Sequence, residues 1–82
     1  MIEVLYFAWL RERIGAPRER IATSAPTVAA LVAELAQQSE GHALAFADLS
    51  AVRVAVDQQL ADFEAPLAGA REVAFFPPMT GG

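Results

Sequence analysis

The chain has 82 residues, 55 % of them apolar, a net charge of −4 and no cysteine. That describes one small domain with enough apolar matter to fold but no room for a deep catalytic cleft beside its core; the acidic balance argues against nucleic acid, whose binding rests on phosphate neutralisation, and the missing cysteines exclude disulfides and thiolate chemistry. The start, Met1-Ile2-Glu3-Val4, carries no basic segment followed by an apolar run, and no apolar stretch approaches the ~20 residues that span a bilayer, so a cytoplasmic chain with no membrane or nucleic-acid partner is expected.

Residues 2–9 are dominated by β-branched and aromatic side chains and predict a strand. Glu3 facing water sets its parity: Ile2, Val4, Tyr6 and Ala8 point to the core, while Leu5, Phe7 and Trp9 share the outer face with Glu3. Gly15-Ala16-Pro17 marks a turn, and residues 18–23 form a second strand, the hairpin partner of the first. Thr27 is the expected N-cap of a helix in which Val28, Leu31, Val32 and Leu35 recur at helical spacing. That helix is expected to end near Ser39 or Glu40, with Gly41 as its stop. Residues 42–50 read either as a short helix or as a loop packed through Leu44, Phe46 and Leu49.

Val52, Val54 and Val56 alternate with Arg53, Ala55 and Asp57, the pattern of a half-buried strand. Asp57-Gln58-Gln59 is a tight turn into a short strand around residues 60–62. Residues 66–70 are a loop, and residues 72–76 the last strand, with Val73 and Phe75 on one face and Glu72, Ala74 and Phe76 on the other. The expected architecture is therefore α+β, a mixed sheet of about five strands with one main helix packed on one face. One helix covers one face only, so Leu5, Phe7 and Phe76 stay uncovered on the other.

Little else on the chain carries chemistry of its own. His42 is the only histidine, has no metal-ligating or nucleophilic partner at a suitable spacing, and reads as a surface or helix-start residue. The acidic residues are scattered and do not pair as a general acid and base would. Asp57 and Asp62 flank a turn and read as turn residues. No glycine-rich phosphate loop is present, so ATP is expected on a partner. All six basic residues are arginine. Codon bias accounts for that; alternatively, a chain without lysine offers only its N-terminal amine to attack an activated terminus.

The end of the sequence is different. Pro77 and Pro78 cannot continue a central strand and send the chain out of the sheet, dividing it into a domain over residues 1–77 and a flexible tail over residues 78–82. Pro78, Met79, Thr80, Gly81 and Gly82 form that tail. Gly82 carries a carboxylate, which needs a leaving group, such as AMP, before it can acylate anything. A second protein would have to supply it, through a channel that a chain without β-carbons can enter. A frayed, inert terminus is the plain alternative.

Val4-Leu5-Tyr6-Phe7-Ala8 with Leu10-Arg11-Glu12, Pro26-Thr27-Val28, Val54-Ala55-Val56-Asp57-Gln58, and above all Glu72 through Phe76 followed by Pro77-Pro78-Met79-Thr80-Gly81-Gly82, resemble the MoaD family, the molybdopterin synthase small subunits among the ubiquitin-like sulfur carriers. The resemblance spans the whole chain and implies a β-grasp fold. It implies that an adenylating, E1-like enzyme activates Gly82 with ATP and a sulfur donor leaves a thiocarboxylate there. The tail then enters the large synthase subunit and passes sulfur to cyclic pyranopterin monophosphate, building the dithiolene. On this reading the chain is a non-catalytic subunit, binds no cofactor or metal, and joins a heterotetramer of two small and two large subunits. Phe7, Leu60 and Phe76 match an apolar docking patch in the family, and Arg11 an ion pair with a partner carboxylate. Met79 stands where valine is frequent and Asp57 where asparagine is frequent; both substitutes suit their positions. A thiamine or other sulfur pathway, or a protein modifier conjugated through Gly82, would use the same terminus.

Overall fold

In chain order the elements are β1 (Ile2–Tyr6), α1 (Trp9–Ile14), β2 (Arg18–Ile21), α2 (Val28–Leu35), α3 (Glu40–Ala45), a 3-10 turn (Leu49–Ala51), β3 (Arg53–Val56), β4 (Gln59–Ala61) and β5 (Glu72–Phe76). They come from a computed structural model, in which residues 1–78 are described. The strands form one sheet in the order β2-β1-β5-β3-β4. β1 and β5 run parallel at its centre, and the other neighbours are antiparallel. With the helices on one face, this is the β-grasp, ubiquitin-like arrangement.

The inner face follows from strand parity. Ile2, Val4 and Tyr6 of β1, Val54 of β3, and Val73 and Phe75 of β5 are buried in one cluster with Leu10 of α1, Val28, Leu31, Val32 and Leu35 of α2, and Ala45 of α3. Thr27 caps α2: its hydroxyl accepts the Ala30 N–H at 3.2 Å, satisfying one of the donors a helix start leaves orphaned. β5 occupies residues 72–76 as expected. The Asp57-Gln58 turn also forms, with φ of 49° and 68°, the left-handed pair that matches the twist of a two-residue hairpin.

Three expectations need correction. The first strand ends at Tyr6, because Ala8 takes φ 54° and ψ −133° and turns the chain out of the sheet. Residues 9–14 are then helical. Leu10 is buried, and Trp9 and Ile14 pack against the core, so Trp9 does not sit on the outer face. β1 and β2 are antiparallel partners, but a helix joins them instead of a hairpin turn. The Arg13 guanidinium covers the Trp9 ring at 4.6 Å from its centroid.

The second correction concerns Gly41. It is not the stop of α2, which ends at Leu35, but a residue inside α3. A β-carbon there would run into the backbone carbonyl of Arg13, so the glycine lets α3 lie against α1. Residues 42–50 resolve accordingly, into the body of α3 followed by the 3-10 turn.

The third is His42, which is near a helix start but only 5 % exposed. Ser39 caps α3 by accepting the His42 N–H at 3.1 Å, and its hydroxyl meets Nδ1 of the ring at 2.7 Å. Nε2 meets Glu19 Oε2 at 2.8 Å, and the Tyr6 hydroxyl donates to the same oxygen at 2.7 Å. This chain of hydrogen bonds ties β1, β2 and α3 together. Burial, then the hydrogen bond to Glu19 and its charge, push the Tyr6 hydroxyl well above the ordinary tyrosine range. Burial alone would raise Glu19, but the hydrogen bonds from His42 and Tyr6 outweigh it and hold the carboxyl below its ordinary value of 4.5.

Gly41→Ala is expected to lower the thermal midpoint by at least ~5 °C, because overpacking against backbone outweighs the ~1 kcal/mol that alanine gains in a helix. An unchanged midpoint would contradict the close approach of α1 and α3. The depressed Glu19 contributes stability that is fully present above 4.5 and is lost as pH falls through its lower folded value. The raised Tyr6 contributes stability that is fully present below 10.0 and is lost as pH rises above it. Urea unfolding of Glu19→Gln should therefore show a shallower loss of stability below pH 4.5 than the unaltered chain; parallel curves would remove Glu19 from the account.

Candidate functional site

The helices cover one face of the sheet, and the other is lined by side chains that the register sets in rows. Leu60 pairs with Ala55, Ala55 with Ala74, Ala74 with Leu5, and Leu5 with Arg18. With strands ~4.8 Å apart, Leu5 and Leu60 stand ~14 Å from each other across this row. The two alanines between them form a shallow floor; Ala74 is only 8 % exposed although it faces outward. Phe76 pairs with Arg53 in the next row, toward the end where the chain leaves β5. On the far side the row Arg20, Glu3 and Glu72 bounds the apolar area with charge.

Phe7 follows β1 and keeps its parity. Its N–H donates to the Phe75 carbonyl at 3.1 Å, which holds its backbone beside β5, and its side chain is 47 % exposed. Because β1 and β5 are parallel, Phe7 and Phe76 lie at the same end of the sheet, where Pro77 and Pro78 lead away half-buried and without regular structure. The tail residues Met79, Thr80, Gly81 and Gly82 lie outside the described residues.

Asp57 fixes the position of Leu60. Its N–H donates to the Glu72 carbonyl at 2.9 Å, and its Oδ1 accepts the N–H groups of Arg71 and Glu72, both at 3.0 Å. The β3–β4 turn is thereby tied to the start of β5, and β4 presents Leu60 outward with 78 % of its surface exposed. Asp62 serves locally, accepting the Glu64 N–H at 2.9 Å. Both carboxylates are occupied by backbone, as turn residues are.

The expected docking residues thus separate into two groups. Phe7, Leu60 and Phe76 share the outer face. Arg11 is exposed but belongs to α1, outside the sheet. Ala55 and Ala74, the floor of the patch, and Arg53, at its rim, complete the face; the alternation of Val52, Val54 and Val56 with their neighbours was the signal for two of them. The Tyr6–Glu19–His42–Ser39 chain has the residue types of a proton relay, yet Tyr6 is 1 % exposed and on the inner side of the sheet, so it serves the fold. Among the described residues the one ion pair is His42 with Glu19, which leaves all six arginines without a carboxylate within 4.0 Å.

Comparison with known proteins agrees with this arrangement. A family model described as the ThiS family matches residues 4–82. The curated molybdopterin synthase sulfur carrier subunit of Escherichia coli (strain K12) is 48 % identical over 82 residues, covering 100 % of both chains. The protein of the same name from Haemophilus influenzae is 38 % identical over 82 residues, again covering 100 % of both. Among solved structures, SAMP1 from Haloferax volcanii superposes with a TM-score of 0.73 at 24 % identity, covering 99 % of this chain and 98 % of the other. A putative molybdopterin converting factor subunit 1 from Pyrococcus furiosus gives a TM-score of 0.70 at 22 % identity, covering 95 % and 97 %. These two share the fold.

If the outward apolar residues are surface and not core, Leu60→Ala changes the unfolding free energy by less than ~0.5 kcal/mol, whereas Phe75→Ala, buried on the opposite face, loses ~3–5 kcal/mol. Denaturant curves of the two variants check this, and a large loss for Leu60→Ala would mean that the face is covered within the monomer.

Proposed function

We infer the function from one premise: the chain belongs to the ThiS family. It is the sulfur carrier subunit of a molybdopterin synthase, a non-catalytic partner of the large subunit that holds the active site. The observation that carries this is the full-length identity of 48 % to a curated carrier of that name. The bare apolar face beside the exit of the chain supports it, because a carrier must dock before it delivers.

In this reading the Gly82 carboxylate attacks the α-phosphorus of ATP on an adenylating enzyme, releasing pyrophosphate and leaving an acyl adenylate. A sulfur donor then displaces AMP at the carbonyl carbon, and Gly82 becomes a thiocarboxylate. ATP is consumed by the activating partner, and the chain itself holds no cofactor. Residues 1–77 dock through Phe7, Leu60 and Phe76, with Arg11 as a charged contact. Pro78, Met79, Thr80, Gly81 and Gly82 enter the large subunit. There the thiocarboxylate sulfur bonds to a carbon of cyclic pyranopterin monophosphate, and water hydrolyses the resulting thioester, so that the sulfur stays on the pterin and Gly82 returns to a carboxylate. Two transfers supply the dithiolene, which a heterotetramer with two carriers accommodates. The reaction takes place in the cytoplasm; among the described residues no helix is long and apolar enough to cross a membrane.

Intact-mass measurement after co-expression with an adenylating enzyme and a sulfur donor tests this. The expected result is a gain of about 16 Da, one oxygen exchanged for sulfur, located at Gly82. Conjugates on lysines of other proteins would identify a modifier instead, and an unchanged mass under every combination would overturn the carrier reading.

A further inference from the structure

Arg53 opens β3 at the end of the sheet where the chain leaves β5, and its cross-strand partner is Phe76. Val52 and Val54, on either side of it, are buried, so Arg53 projects on the bare face. Its guanidinium is tethered: Nη1 donates to the carbonyls of Ser50 and Val52, both at 3.2 Å. Among the described residues its Nε and Nη2 meet no acceptor, although the chain carries ten acidic side chains.

A guanidinium already held at one nitrogen loses less freedom when it binds, and its planar fork fits a carboxylate through two parallel hydrogen bonds. Charged groups at the rim of an apolar patch set the orientation and rate of docking while the apolar centre supplies affinity. Arg53 has that place: it borders Phe76 at the root of the tail. We propose that Arg53 is a docking cation that pairs with a carboxylate of the large subunit, at the mouth of the channel that receives the tail. This rests on the reading of the bare face as the docking surface and of the tail as the inserted segment.

The position also decides between counter-ions. From Phe76 to Gly82 an extended chain covers ~20 Å, so Arg53 stays outside the channel while Gly82 reaches its far end. A nucleotide or pterin phosphate at the reacting terminus is beyond its reach. The partner group is therefore a protein side chain at the entrance.

Calorimetric titration of the full-length chain into purified large subunit, at low and high salt, tests the proposal. Arg53→Gln should bind about tenfold more weakly with a shallower salt dependence, and Arg53→Glu about a hundredfold more weakly. Arg53→Lys keeps the charge without the fork, and should retain the salt dependence while losing about threefold. Thermal unfolding of each variant accompanies the titrations, and Arg53→Lys separates charge from any loosening of the 3-10 turn. Leu60→Ala is the control for the face itself. If it weakens binding while all three Arg53 variants bind as the unaltered chain does, Arg53 is no docking cation. If Leu60→Ala and the Arg53 variants all bind unchanged, the docking face is wrong and the proposal falls with it.

Discussion

The parallel pairing of β1 with β5 is the constraint on which the rest of this molecule depends. It sets two strands from opposite ends of the chain side by side at the centre of the sheet, pointing the same way. The connection between them must cross one face of the sheet, so α1, α2 and α3 collect there and pack against its inner side chains to form the core. Tyr6 and Phe75 face each other across the pair, with ring planes 16° apart and centroids at 6.3 Å, and Phe46 closes on Phe75 edge to face at 5.0 Å. These aromatic contacts add to plain burial in a domain with little surface to bury. The same register, one residue further along each strand, sends Phe7 and Phe76 to the opposite face. Core and bare apolar patch are thus two consequences of one alignment.

Small domains usually cannot leave an apolar sheet face open without risking association. Here the risk is limited by composition. The row from Leu60 to Leu5 has two alanines at its middle, so the exposed bulk is confined to its rims and to the aromatic pair. Charged residues border it, with Arg20, Glu3 and Glu72 on one side and Arg53 on the other. The outer edge of β2 carries Arg18, Glu19 and Arg20, a charged strand poorly suited to pairing with another chain. Stability comes from the inner face, and the outer face stays bare among the described residues.

Period-2 and period-3.6 patterns carried most of this into the sequence. Val4 and Tyr6, Val52 and Val54, and Val73 and Phe75 each announced their burial, and Thr27 its cap. Asp57-Gln58 announced a turn, although not that its carboxylate would reach across to Arg71 and Glu72. What stayed hidden depended on tertiary contact. Residues 9–14 have Leu10 and Ile14 at helical spacing with Gly15 in the left-handed cap, but they continue a run of strand-forming residues, and only the Ala8 turn separates the two. Gly41 reads as a helix stop by propensity, whereas its value lies in having no side chain where α3 meets Arg13. His42 was illegible for the same reason, since its partners Glu19 and Tyr6 are far away in sequence. The outward placement of Phe7 and Phe76 was legible from sheet parity alone, while Leu60 and Gly82 were singled out by resemblance to known carriers.

The central claim is that sulfur carried at Gly82 leaves with the product. A single-turnover reaction tests it most directly, with the thiocarboxylate form of the chain, purified large subunit and cyclic pyranopterin monophosphate, followed by intact mass and by product formation. The account predicts that the thiocarboxylate mass reverts to that of the plain carboxylate as dithiolene appears, with none formed from the unmodified chain. Product formation from the unmodified chain, or a thiocarboxylate that persists unchanged while product accumulates, would contradict it.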